Sequence, residues 1–184
     1  LGWEPSSCYL SALPPRGSDR SFFRARNTTA GESCIVMKYG KLRPENELFV
    51  MHSRFLSARK IKVPEIFWHD DEHRIVIMKD CGKESLLDVV CRLGMPQCIN
   101  LYKNVIRLMV RLHSIKQADI RKTVLMERFS PGLYKWEHNL FLDHIVRKLP
   151  ALPDYLISRA GPDLSRLSEC LNKMPPCLVH RDLQ

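Results

Sequence analysis

Short runs of apolar β-formers bounded by polar turns mark the first part of the chain, and apolar positions recur at helical steps in much of the rest. Phe22 to Arg26 and Ser33 to Tyr39 predict two strands around the polar turn Asn27 to Gly31. Pro44 suits a first helical position, and Leu48, Phe49, His52, Phe55 and Leu56 share a face, so the spacing predicts one helix over 44–61. Ile66-Phe67-Trp68 and Arg74 to Met78 predict a hairpin around Asp70-Asp71-Glu72. From Ser85 the period becomes helical. A short helix runs from the Ser85 cap to Leu93, followed by helices over 97–113, 133–149 and 162–172. The expected class is α+β, strands first and helices after.

Three stretches carry candidate chemistry. Gly17-Ser18-Asp19-Arg20-Ser21 precedes the first strand, and Gly and Ser allow backbone N–H groups to approach a phosphate. A plain hairpin turn has the same composition. Ile35-Val36-Met37-Lys38 places Val36 and Lys38 on one strand face, where a small apolar residue can lie under a base while the ammonium reaches phosphates. At the other end, Leu178-Val179 leads into His180-Arg181-Asp182-Leu183, the opening of a phosphoryl-transfer catalytic loop. A lone lysine on an edge strand or a polar turn after β-formers would mean nothing. Their order along one chain gives the pattern its weight.

His180 comes 67 residues after the pair Leu112-His113 closes, an interval with two further helices and several prolines. This interval, with Gly17 to Arg24, Val36-Met37-Lys38, Glu45-Asn46, Val63-Pro64-Glu65, Arg111-Leu112-His113 and Leu133-Tyr134-Lys135-Trp136-Glu137, resembles the aminoglycoside phosphotransferase and choline kinase-like family. Within it, the Ser-Asp-Arg-Ser-Phe turn and the Tyr-Lys-Trp-Glu helix look most like bacterial kinases of cell-wall amino sugars of the N-acetylmuramate type.

The resemblance implies a protein-kinase-like fold in two lobes. These are an N-lobe over 1–78, a hinge over 79–84 and a partial helical C-lobe over 85–184. It implies ATP as cofactor, held by Lys38 with Glu45 or Glu47 as its partner (Glu45 preferred), by Gly17, Ser18 and Ser21 at the phosphates, and by Val36, Met78, Lys79 and Asp80 around the base. Asp182 would face the acceptor hydroxyl, and Trp136 and Glu137 would bind a small hydroxyl-bearing substrate. Mg²⁺ is expected with its Asn and Asp ligands beyond Gln184, so no metal ligand is assigned in this chain. Beginning with Leu and stopping just after Asp182, the chain reads as a fragment whose own activity is expected to be incomplete.

Composition adds limits. A net charge of +9 raises a nucleic-acid module as a rival, but the basic residues are dispersed and densest only over Arg54 to Lys62. Nucleic acid is not the expected partner. A catalytically inactive, nucleotide-binding relative is the other alternative. His69 and His73 share a hairpin tip rather than a helix face, which argues against a metal pair. Seven cysteines without a C-x-x-C pair argue against a disulfide scaffold or zinc site. With no apolar run near 18 residues there is no expected membrane segment, and a cytoplasmic location is expected.

Overall fold

The computed structural model describes residues 2–15, 18–149 and 152–181. Five antiparallel strands form one sheet in the order β1-β2-β3-β5-β4: β1 Cys8–Ala12, β2 Arg20–Asn27, β3 Ser33–Tyr39, β4 Ile66–Asp70 and β5 Ile75–Lys79. The predicted strands are all present. The edge strand β1 was not predicted, because Cys8 to Ala12 lacks apolar–polar alternation and four of its five residues are exposed.

Register sorts the sheet into two faces. Phe22, Met37 and Val76 are cross-strand partners, as are Ile35 and Met78, and these side chains form the core. Over them lies α1, Phe49–Ser57, contributing Phe49 and Val50. Each fully buried side chain of this kind contributes about 1.5–3 kcal/mol. The opposite face carries Ser21, Phe23 and Ala25 against Lys38, Val36 and Cys34, with Ile75, Ile77 and Lys79 beyond them.

The helix expected over 44–61 is two pieces, a 3₁₀ turn at Pro44–Asn46 and then α1. The turn is set by Asn46, whose buried side chain bonds away from the helix. The far end closes as a Schellman motif. Lys60 takes φ 59°, its N–H donates to Ser57 O, and the N–H of Ile61 donates to Leu56 O. Lysine there hides the signal that glycine would have given.

Two compact units emerge. The first comprises 1–125 with 178–184, and the second comprises 126–177. Beyond the sheet, the first holds α2 Leu86–Leu93, α3 Met95–His113 and the short α4 Gln117–Ile120. Ser85 caps α2 through a reciprocal capping box with Asp88. On α3, Cys98 and Leu112 are buried while the expected stripe residue Leu101 is exposed. His52 Nε2 on α1 lies 2.7 Å from Val124 O, tying the helix to the segment after α4.

In the second unit, α5 covers Pro131–His144 and packs against α6, Asp154–Lys173. The single helix expected over 133–149 breaks at Ile145 and resumes as a 3₁₀ turn, Val146–Lys148. Pro162, read as a helix start, instead lies inside α6. The helix runs through the proline after Gly161, which has no side chain to crowd the ring. Among the described residues, no helix is long and apolar enough to cross a membrane.

Candidate functional site

The strand β3 places Lys38 as expected. Lys38 is exposed on the face opposite the core, two residues from half-buried Val36, and its cross-strand partners are Ser21 on β2 and Ile75 on β5. Phe23 and Ile77 flank Val36 in the same register. The result is a shallow apolar platform with one ammonium and one hydroxyl at its end. A flat base fits such apolar side chains, and anionic phosphates fit the ammonium and hydroxyl.

Cys34 also lies on this face. Burial pushes its thiol up, and the Asp80 carboxylate adds to the effect, so the group stays a neutral thiol rather than a nucleophile.

The turn before β2 is fastened to the turn carrying Glu45. Asn46, only 1% exposed, donates from Nδ2 to Asp19 Oδ1 at 2.8 Å and to Gly40 O at 3.2 Å. Its Oδ1 accepts from Arg20 Nε at 2.7 Å, and the Arg20 guanidinium lies over the Phe49 ring at 5.5 Å. Sequence reasoning missed this role for Asn46. A buried amide in the first turn of an apolar helix was the available signal, since such a group must find partners.

The arrangement also explains Gly40, where a Cβ would stand 2.5 Å from Asp19 Oδ2. Gly40→Ala is therefore expected to push Asp19 off Asn46 and to cost about 1–2 kcal/mol, measurable by urea denaturation. Wild-type stability in that variant would show that Asp19 yields without loss.

The remaining expected residues divide. Ser18 is half-buried and Ser21 exposed, beside and on β2. No ion pair joins Lys38 to Glu45 or Glu47 among the described residues, and Glu45 sits half-buried in the 3₁₀ turn rather than on α1. Met78 points into the core, so only its backbone is available to a nucleotide.

Asp80 was expected at the base but its side chain is committed elsewhere. It pairs with Arg24, with side-chain exposures of 8% and 9%, Arg24 Nε to Asp80 Oδ2 at 2.6 Å and Nη2 to Oδ1 at 3.1 Å. The Arg24 bonds, followed by those from Gly82 N–H and Ser33 Oγ, hold the Asp80 carboxyl down to about 2.

Gly17 and Asp182 lie outside the described residues. Leu178 to His180, read as β-formers running into a loop, form no strand. Arg181 adopts φ 68°, a left-handed conformation that costs a non-glycine residue about 1 kcal/mol or more. In the second unit, Trp136 is 58% exposed, and Glu137 beside it is half-buried.

A cleft of 530 Å³ opens among Tyr39, Lys41, Glu47, Asp71, Glu72 and Arg74. Of the expected residues only Glu47, the second choice for pairing with Lys38, lines it. Among the described residues no group of three or more His, Cys, Asp or Glu side chains converges as a metal site. No Mg²⁺ contact is therefore assigned to them.

Comparison with known proteins agrees with this architecture. No curated protein matches the chain. Among solved structures it is similar to an ethanolamine kinase of Plasmodium vivax, with a TM-score of 0.54 and 14% identity. That alignment covers 97% of this chain and 51% of the other, so the chain spans about half the length of that relative. The likeness establishes the α+β, protein-kinase-like fold. A phosphotransferase enzyme family model matches residues 12–184, from the end of β1 through the His-Arg-Asp segment. On that extent of match the chain belongs to the phosphotransferase enzyme family.

Proposed function

We propose that the protein transfers the γ-phosphoryl group of ATP to a hydroxyl of a small molecule, a sugar or amino sugar such as N-acetylmuramate. The observation that carries this reading is the sheet face that joins Lys38 and Ser21 to the apolar platform of Val36, Phe23 and Ile77. It offers a nucleotide both of its chemical halves. Family membership and the fold of a kinase support the same reaction type.

In this reading the lobes are 1–78 and 85–184, joined by the hinge 79–84, and the base lies against the platform near the hinge. Lys38 neutralises the α- and β-phosphates, with Glu45 closing on the ammonium when nucleotide is bound. Gly17, Ser18 and Ser21 supply donors above the phosphates. Asp182 orients the acceptor hydroxyl and takes its proton late, as a loose transition state requires little base strength early. Trp136 and Glu137 contact the acceptor, and the exposure of the indole suits a sugar face. Bound Mg²⁺ would supply charge neutralisation at the phosphates.

Lys38→Met tests the reading, made in the protein expressed from its own reading frame. Lys38 is exposed, so circular dichroism is expected to show an intact fold. ADP release with a panel of sugars and amino sugars is expected to fall about 10²- to 10³-fold, the scale of losing one preorganised charge contact. Undiminished turnover in the variant would end the proposal.

A further inference from the structure

The 530 Å³ cleft at the end of β3 contains none of the residues of the Lys38 face. One of its walls is Tyr39, only 4% exposed and packed in the core with Val50 and Val76. The body of the ring is covered, and its hydroxyl end meets the cleft. That hydroxyl has no hydrogen-bond partner among the described residues. Burial pushes it up, and the carboxylates of Asp71 and Glu47 add to the effect, so it stays a neutral phenol facing those two groups. A buried hydroxyl without a partner is uncommon, because nothing compensates its lost hydration.

The charges around this hydroxyl are held apart. Lys41 and Arg74 line the cleft together with Glu47, Asp71 and Glu72. Among the described residues no ion pair joins either cation to any of these carboxylates, and the one charged neighbour of Asp71 is His69 Nε2 at 4.0 Å. Arg74 donates from Nε to Tyr39 O at 3.3 Å, while the N–H of Tyr39 donates to Arg74 O at 3.1 Å. The Nη groups of Arg74 are left to reach another acceptor. Exposed charges by themselves mark a solvated rim. Here both signs surround a buried hydroxyl that itself lacks a partner.

Three carboxylates repel a plain anion, and two cations repel a plain amine. Among the described residues the carboxylates do not converge as metal ligands either. We propose that the cleft binds a small amino-acid zwitterion. Its ammonium lies against the Tyr39 hydroxyl and the carboxylates of Asp71 and Glu47, and its carboxylate lies against Arg74 and Lys41. Hydrogen bonds between charged partners at both ends supply the affinity. The site does not rest on the phosphotransferase reading.

The test is calorimetric titration of the protein with 4-aminobutyrate and the standard α-amino acids. At least one is expected to saturate a single site below about 10 mM. Its methyl ester and its N-acetyl derivative, which keep one charge each, are expected to bind about 10-fold more weakly or worse. Tyr39→Phe keeps the ring in the core, removes only the hydroxyl, and is expected to weaken binding about 5-fold or more. Asp71→Asn alters an exposed side chain, so it keeps the assay decisive even where Tyr39→Phe fails to fold, and the same loss is expected. Lys38→Met is expected to leave the affinity within about 2-fold.

Saturation by none of these zwitterions below 10 mM overturns the proposal, and the rim is then only solvated. Equal binding by the single-charge derivatives overturns it as well. A zwitterion that binds as tightly to Asp71→Asn and to folded Tyr39→Phe, but is lost in Lys38→Met, occupies the phosphotransfer site instead, which overturns the proposal and leaves the phosphotransferase reading standing.

Discussion

Asp182→Asn is expected to lower phosphoryl transfer by about 10²- to 10⁴-fold while Mg-ATP affinity stays within about 2-fold. The argument rests on what Asn preserves. It has nearly the same shape and can still accept a hydrogen bond from the acceptor hydroxyl. It cannot take the proton, and it places no negative charge beside the oxygen as that oxygen attacks. The loss should therefore fall on kcat, with little change in the KM for either substrate.

Arg181, immediately before Asp182, takes φ 68°. Such backbone conformations persist only where the surroundings enforce them. An Asp182→Asn variant with wild-type kcat would remove Asp182 from the chemistry. Absence of any turnover in the wild type, with Mg-ATP still bound, would instead match the alternative of a nucleotide-binding relative without catalysis.

Much of the sheet was legible because its chemistry is local. Ser33 to Tyr39 is a short run of β-formers after a polar turn, and the strand formed over those same residues. The face on which Lys38 lies followed from the two-residue period of a strand alone. The Ser85 cap and the break at Gly94 were also local signals, and α2 begins and ends at them.

What escaped depends on partners distant in sequence. Asn46 ends the first turn of the expected long helix because Asp19 and Gly40 bond its amide, and neither is visible in the local period. Lys60 stops α1 in a conformation that its side chain disfavours. Asp80 looked like a hinge residue open to the nucleotide, yet its partner Arg24 lies 56 positions earlier on another strand. For Asn46 and Asp80 a polar side chain settled where its hydrogen bonds were, against what propensity alone would favour. Burial along the helical stripes was not legible either, since apolar spacing does not reveal which members the fold covers: Leu101 on α3 is exposed while Cys98 and Leu112 are buried.

The Arg24–Asp80 pair should also govern acid stability, with a sign that can be stated. Asp80 is held down to about 2, from an ordinary value of 3.8, first by the Arg24 hydrogen bonds. A depressed carboxyl stabilises the native state when ionised. Its contribution is fully present above about pH 4 and is lost as the pH falls toward 2. The size over that window is about 2 kcal/mol by linkage.

In Asp80→Asn the ionisable group is gone while Arg24 stays buried without its counter-charge, at a cost of about 3 kcal/mol near pH 6. Urea midpoints followed by tryptophan fluorescence, with Trp3 and Trp68 in the first unit, should show the gap between wild type and variant at its widest near pH 6. The gap should narrow by about 2 kcal/mol at pH 2, because the wild type loses there what the variant never had. Other carboxylates titrate in both proteins and cancel in the difference. A gap that stays constant from pH 6 to pH 2 would mean that the ionised Asp80 is no better bonded in the folded chain than in water. The four hydrogen bonds on its carboxylate make that outcome the unexpected one.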